Sequence, residues 1–310
     1  MYDVIGDIHG QADKLDGLLK LMSYVPDGSG YRAPYGRKAV FLGDLIDRGP
    51  SQLKVLNTVR AMVESGDALC IAGNHEFNAV GFGTEDRCNP GNFLRPRTAK
   101  NRKQHCAFLA AVTEDSAEHK SWIKWFRSLP IAIDLGGIRV VHADWDSADV
   151  LTLESVLWNS DRSAWSDDFL AGTYVKDSEL ERMRKMLTCG LELKLPAGQY
   201  VEDKEGIRHD DLRIARWRHM ANRLNEVALV PGGLNHKFDD IELAGVIELN
   251  EPKGPPIFIG HHWFSGQPLI ESPKLACLDW SAAKDGPLVA YRWDGEQELS
   301  NENLMWVGKQ

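Results

Sequence analysis

At five points along this chain a short apolar run gives way abruptly to a small polar cluster. Tyr2 to Ile5 is followed by Gly6, Asp7, Ile8, His9 and Gly10. Lys38 to Leu42 leads into Gly43, Asp44, Leu45, Ile46, Asp47, Arg48 and Gly49, and Ala68 to Ala72 into Gly73, Asn74, His75 and Glu76. Further on, Ile138 to Val141 delivers His142, Ala143 and Asp144, and Pro256 to Ile259 delivers Gly260, His261 and His262. Apolar runs of this length bounded by turn residues read as strands, while Leu15, Leu18, Leu19 and Met22 recur at helical spacing. Leu53, Val55, Leu56, Val59 and Met62 do the same, in a helix starting near Pro50. Strand, turn and helix in this repetition predict an α/β fold with parallel strands and helices on the sheet faces. Ligands in such sheets sit at the carboxyl ends of strands, where every one of these clusters begins.

Later strand signals lie at Ile131 to Asp134, paired through Gly136 and Gly137 with Ile138 to Val141, and at Ile241 to Leu249, Leu275 to Asp279 and Leu288 to Trp293. Between them, residues 150–255 are charge-rich, with helical patches at Glu179 to Leu187 and Asp211 to Leu224, and are expected to form a largely helical insertion or cap. The net charge of -9 argues against a surface that coats nucleic acid, although a local basic cleft remains compatible with it. No apolar run approaches the roughly 20 residues that cross a bilayer. The N-terminus has neither a basic segment nor a long apolar stretch, so no signal peptide is expected. The five cysteines, Cys70, Cys88, Cys106, Cys189 and Cys277, form no Cys-x-x-Cys pair, which suits reduced thiols in a cytoplasmic protein.

Carboxylate, imidazole and amide oxygen together, without thiolate, suit two borderline-hard divalent cations. Two such ions roughly 3.5–4 Å apart clamp a phosphate and make a bound water nucleophilic near neutral pH. One Asp-x-His turn alone carries little weight; five clusters in series carry a great deal.

The order GDIHG, GDLIDRG, GNHE, a strand-borne histidine and then GH is similar to that of the calcineurin-like metallophosphoesterases. GDLIDRGP, with its arginine, resembles the phosphoprotein-phosphatase-like branch, which also holds the bacterial symmetrical diadenosine tetraphosphatases. The segment ACLDWSAAKDGPLVAYRWDG looks like the ending of that branch. The resemblance covers residues 1–80, 138–144 and 256–295 and does not reach 150–255. It implies a single catalytic domain over 1–310, with central mixed β-sheets packed as a sandwich core and flanked by helices.

Residue by residue, the resemblance implies that Asp7 and His9 bind a first metal and that Asp44 bridges both. Asn74, His142 and His261 would bind the second. Manganese is the foremost cofactor, with iron, zinc, cobalt or nickel as alternatives. His75 would be the general acid, Asp47 would orient and charge its imidazole, and Arg48 would grip the phosphate. Attack by a metal-bridging hydroxide, without a phosphoenzyme, follows from the same likeness. Two departures stand out. Trp263 occupies the place of the second histidine in the Gly-His-x-His of many relatives, and His142, Ala143 and Asp144 replace the His-Gly-Gly of protein phosphatases.

His262 and Arg162 are further candidates for substrate contact. Glu76 reads as a support for His75 or a backbone amide, and Asp144 and Asp146 as either supports or solvated loop residues. The basic run from Arg95 through Arg97, Lys100, Arg102 and Lys103 to His105 either flanks the cleft, holding a polyphosphate or nucleic-acid strand, or is a solvated helix start. Trp158, Trp165 and Trp217 either pack a core or stack on a base. A small phosphorylated substrate, dinucleoside polyphosphates foremost, is the expected partner; a serine/threonine phosphoprotein and a nucleic-acid end are the alternatives. No membrane partner is expected, and the sequence does not specify an oligomeric state.

Overall fold

The computed structural model describes residues 1–195, 200–202, 208–230, 241–243 and 247–308. The chain runs through β1 (Tyr2–Ile5), α1 (Ala12–Leu21), the hairpin β2 (Val25–Asp27) and β3 (Gly30–Arg32), β4 (Lys38–Phe41), α2 (Gln52–Ser65), β5 (Ala68–Cys70) and α3 (Asn74–Gly83). Helices α4 (Ala99–Gln104), α5 (Cys106–Val112) and α6 (Ala117–Phe126) precede the hairpin β6 (Ala132–Asp134) and β7 (Arg139–Val141). Then come α7 (Ser147–Val156), α8 (Asp167–Thr173), α9 (Glu179–Cys189), β8 (Leu191–Lys194), β9 (Val201–Glu202), β10 (Arg208–His209), β11 (Asp211–Ile214), α10 (Leu224–Val227) and β12 (Ala228–Leu229). Strands β13 (Ile257–Ile259), β14 (Leu275–Cys277), β15 (Leu288–Trp293) and β16 (Leu304–Val307) close the fold.

Two mixed sheets form the centre, in the orders β16-β15-β1-β4-β5 and β14-β13-β7-β6. Strands β1, β4 and β5 are parallel, β15 is antiparallel to β1, and β16 is antiparallel to β15; β7, β13 and β14 are parallel, with β6 antiparallel. The period of two along each strand explains the sandwich. Val4, Val40, Ile71, Val140, Phe258 and Val289 form one core between the sheets. Their neighbours Ile5, Ala39, Phe41, Cys70, Val141 and Ile257 point the other way, into the core shared with the helices. In α1, Leu15, Leu18 and Leu19 bury fully while Leu21 stays 51% exposed, which gives the helix one inward face. Each fully buried side chain of this class contributes about 1.5–3 kcal/mol.

The segment following β7 divides in two. Leu153, Leu157, Phe169, Leu170, Met183 and Leu187 of α7 to α9 join the main core. The three-stranded sheet β12-β11-β8 and α10 instead share a small separate core of Leu212, Ile214, Leu224, Val227 and Leu243. The helix expected at Glu179 to Leu187 is α9, but Asp211 to Leu224 is not helical before its last residue, where α10 begins. Leu212 and Ile214 are buried two residues apart, which is a strand period, and turns follow. Of the strand expected over Ile241 to Leu249, the described residues hold one isolated bridge, Arg223 with Glu242, and residues 244–246 lie outside the description. All five cysteines are free thiols. Among the described residues no helix is long and apolar enough to cross a membrane.

Candidate metal centre

The polar clusters meet because their loops are forced into uncommon backbone shapes. His9, Asp44, Asp47, Arg48, His261 and Trp263 all have positive φ, between 47° and 69°. Such conformations cost free energy in non-glycine residues and persist only where the surroundings dictate them. Here Glu76, fully buried in the first turn of α3, supplies much of that dictation. Its carboxylate accepts the backbone N–H groups of Asp44 (2.8 Å), Leu45 (2.9 Å) and Gly73 (2.9 Å), tying two strand-end loops together. Gln52, opening α2, accepts the N–H of Asp47 at 2.7 Å and donates to Gly49 at 2.6 Å. The glycines permit close approach: a Cβ at Gly73 would lie 2.3 Å from Asp44 Oδ1, and one at Gly260 2.1 Å from Asp7 Oδ1.

Two triads share Asp44. In each of His9, Asp44, His75 and Asp44, His142, His261, one donor atom per residue lies within 4.8 Å of the others. Asn74 Oδ1 joins the second, 3.1 Å from His142 Nε2 and 2.9 Å from His261 Nδ1. Backbone carbonyls fix the imidazoles: His9 Nδ1 donates to Ile46 at 2.8 Å and His142 Nδ1 to Leu42 at 2.6 Å. Their Nε2 atoms then face Asp44 at 3.5 Å and 3.3 Å. This is how ligating histidines are usually held.

Asp7 belongs to neither triad. It is buried, accepts the His261 N–H at 3.1 Å through Oδ2, and leaves Oδ1 without a hydrogen-bond partner. Asp3, on the same strand, shows what satisfaction looks like: Arg37 and Arg292 both grip it, at 2.9 Å and 3.0 Å. Burial, with the charge of Asp279, pushes the Asp7 carboxyl well above the usual range. Burial also pulls His9 down to about 3, with His75 acting the same way. At His142 burial is outweighed by Asp44 and Asp7, which lift it to about 10. An orphaned buried carboxylate oxygen and imidazole nitrogens aimed at oxygens form a donor set that fits divalent cations.

His75 Nδ1 lies 2.6 Å from Asp47 Oδ2, and His105 Nδ1 lies 2.8 Å from Asp47 Oδ1. Burial opposes a proton on His75, but Asp44 and Asp47 outweigh it and hold the imidazole above its ordinary value. His105 was not assigned by sequence; its only signal was its position at the end of the basic run. Within that run, Arg97 pairs with Glu114 (3.0 Å) and Asp115 (2.7 Å), and Arg102 also pairs with Glu114. Two of the five arginines and lysines of the run are thereby neutralised by neighbouring carboxylates.

Arg48 is exposed, with its guanidinium 5.8 Å from the Trp263 ring. On the same indole, at 4.1 Å, lies Arg213 from β11, which also donates to His261 O at 3.3 Å. Arg213 is the second arginine of the site, and sequence reading missed it. Arg162, expected there, pairs instead with Glu154 and lies over Trp158, touching none of the cluster residues. His262 is buried rather than lining a pocket: it bonds Ala143 O at 3.2 Å and packs edge-on to Trp217. Asp144 pairs with Arg216 at 3.3 Å, and Asp146 caps α7 through Ala148 and Asp149. Asp279 accepts the Trp263 N–H at 2.9 Å. Trp165 and Trp217 are buried and Trp158 partly so, which is core packing.

Residues 2–183 match the calcineurin-like phosphoesterase family, whose members use a dinuclear divalent metal site. An asymmetrical bis(5'-nucleosyl)-tetraphosphatase of Geobacillus thermodenitrificans is 44% identical over 143 residues, 46% of this chain and 56% of that protein. One of Oceanobacillus iheyensis is 30% identical over 46% of this chain and 54% of its own length. A symmetrical bis(5'-nucleosyl)-tetraphosphatase of Ralstonia nicotianae is 29% identical over 55% of this chain and 52% of its length. The chain thus spans about half the length of these curated relatives. A cold-active protein-tyrosine phosphatase from a psychrophilic Shewanella aligns at 18% identity and a TM-score of 0.45, over 94% of this chain and 74% of that one.

Proposed function

The chain belongs to the calcineurin-like phosphoesterase family, and from that premise we propose that it hydrolyses a phosphoanhydride or phosphoester of a small nucleotide, dinucleoside polyphosphates foremost. The observation that carries this reading is the buried carboxylate of Asp44, faced by the Nε2 atoms of His9 and His142 and grouped with His142 and His261 in one donor triad. Relatives named as tetraphosphatases support the substrate class. Asp7, His9 and Asp44 would hold one divalent ion, and Asp44, Asn74, His142 and His261 a second, manganese foremost. When bound, such a pair supplies positive charge to a phosphate and lowers the pKa of water.

The remaining work falls to the protein's own groups. Asp47 takes the Nδ1–H of His75, which leaves Nε2 to carry the proton for a leaving oxygen. His75 therefore serves as acid rather than ligand, although its Nε2 stands 3.8 Å from Asp44 Oδ2. Arg48 and Arg213, both held against the Trp263 ring, offer paired N–H forks to a phosphate's non-bridging oxygens. Asp279 fixes Trp263 through its backbone, and so steadies both arginines. The acid's proton goes to the leaving oxygen while the arginine forks hold the phosphate, and attack by water rather than by a side chain would leave no phosphoryl-protein species.

The test is a substrate screen with manganese-loaded protein: diadenosine tetraphosphate, p-nitrophenyl phosphate, phosphopeptides and oligonucleotide ends. Higher kcat/KM on diadenosine tetraphosphate than on any other member is expected. Cleavage of p-nitrophenyl phosphate with diadenosine tetraphosphate left intact would remove the substrate assignment.

A further inference from the structure

Among the described residues, Arg95 and Arg184 have no carboxylate partner, whereas Arg97 and Arg102 do. Arg184, on α9, is only 8% exposed. Its Nε donates to Thr173 O at 3.3 Å, and its guanidinium lies over Phe77 (5.3 Å) and Tyr174 (5.4 Å). Among the described residues it has no ion pair, and Glu181, one helical turn earlier, is held by Lys185 at 2.8 Å and by the Asp177 N–H at 2.8 Å. Arg95 is half-buried, and its guanidinium meets a neutral partner, Gln104 Oε1, at 2.8 Å. Arg97 and Arg102, by contrast, are each ion-paired.

These groups form a continuous strip along α3. The Tyr174 hydroxyl donates to Phe77 O at 2.8 Å and lies against Gly81, where a Cβ would come within 2.0 Å of it. The carbonyl of Gly81 accepts the backbone N–H of Arg95 at 3.0 Å. The Arg95 guanidinium reaches Gln104, next to His105, which bonds Asp47 at 2.8 Å. Burial lowers the pKa of Arg95, and the charges of Asp47 and Arg184 both reach it, which places all three in one electrostatic neighbourhood.

We propose that Arg95 and Arg184 form a second anion subsite, beside His75 and Asp47, that takes the leaving phosphate of a phosphoanhydride substrate. This rests on the reading above in one respect: His75 hands its proton to the leaving oxygen, so groups along its flank face the leaving group. An alcohol leaving group offers two guanidinium ions nothing to neutralise them. A leaving nucleoside phosphate or polyphosphate supplies the missing charge in bidentate form. Burying a guanidinium without an anion is costly, and two near each other more so, unless a ligand completes the site. Stacking on Phe77 and Tyr174 is the competing reason for Arg184 to be there. It does not explain why Arg95, tied to Gly81 beside the same tyrosine, has no carboxylate partner among the described residues.

The experiment uses Arg95→Gln and Arg184→Met, the latter keeping the packing of the arginine stem. Inorganic tripolyphosphate is titrated calorimetrically into chelator-treated protein, and kcat/KM is measured with manganese on diadenosine tetraphosphate and on p-nitrophenyl phosphate. Each variant should weaken tripolyphosphate about ten- to a hundredfold, the worth of a charge-assisted hydrogen bond. The ratio of kcat/KM for the tetraphosphate to that for the nitrophenyl ester should fall by a similar factor. Wild-type tripolyphosphate affinity in both variants, or an unchanged ratio, would overturn the subsite. Should Arg184→Met fail to fold by circular dichroism, Arg95→Gln alone decides. Arginine-dependent tripolyphosphate binding in a protein that cleaves no dinucleoside polyphosphate would support the subsite and remove the hydrolytic reading. Cleavage with both variants unaffected would do the reverse.

Discussion

The strand-end loops and the segment from Leu191 to Leu249 contribute to the same site in opposite ways. The loops supply every candidate ligand from inside the main fold, where Glu76 and Gln52 hold strained backbones in place. The later segment keeps its own small core and sends Arg213 and Arg216 across to His261 and Asp144. The difference teaches that the candidate ligands are built into the sandwich, whereas one of the two arginines on Trp263 is delivered from a separately packed unit. Damage to the loops should therefore cost turnover and stability together. Loss of Arg213 should cost affinity, and loss of Arg216, which pairs with the buried Asp144, should cost stability.

The largest effect is expected from Asp44→Asn, which removes the carboxylate common to both triads; turnover should become unmeasurable on every phosphoester. Residual turnover above a few per cent of wild type would show that Asp44 is not the shared group. Next, His75→Asn should lower kcat on diadenosine tetraphosphate by about 10²–10⁴-fold, and by much less on p-nitrophenyl phosphate, whose leaving group needs little protonation. Equal losses on both would count against the acid role. Glu76→Gln replaces an acceptor oxygen with an N–H that faces backbone N–H groups. A stability loss of about 1–3 kcal/mol by denaturant unfolding is expected. A fall in kcat should accompany it, because Asp44 loses its anchor. Loss of stability without loss of kcat would separate the loops from the chemistry.

Arg213→Ala sharpens the other side: KM should rise by about tenfold, the scale of one charge-assisted hydrogen bond, with the melting temperature unmoved. The smallest effect concerns His119, in α6 behind His105. Its Nδ1 accepts the Asp115 N–H at 3.1 Å, which requires a neutral ring, and burial together with the charge of His105 lowers its pKa. The folded chain therefore binds this proton less readily than the unfolded chain, whose histidine titrates near 6.5. Stability from this group is full above about pH 6.5 and is lost as pH falls below it. His119→Gln should flatten the melting-temperature profile between pH 7 and pH 5; an unaltered slope would show that the group does not titrate on unfolding.

What sequence revealed follows the same division. Asp7, Asp44, Asn74 and His261 were legible because each sits one residue past a glycine that ends an apolar run, so local pattern and site coincide. The parallel order of β1, β4 and β5 was legible for the same reason. Arg213 was not, because in Asp211 to Ile214 it looks like any outward charge of an alternating strand, and only the packing of that strand against His261 gives it meaning. His105 was hidden in a run of cations whose neighbours Arg97 and Arg102 turn out to be paired with Glu114. Arg162 was misplaced because proximity in sequence to the His142 strand says nothing about where a loop side chain finds its partner, here Glu154.

The most direct test of the centre is metal content against activity. Chelator-treated protein is titrated with manganese, and bound metal is counted by plasma mass spectrometry while hydrolysis of diadenosine tetraphosphate is followed. Two equivalents per chain are expected, with activity reaching its plateau at the second, and Asp44→Asn should hold neither tightly. Full activity in metal-free protein, or a plateau at a single equivalent, would contradict a dinuclear site centred on Asp44.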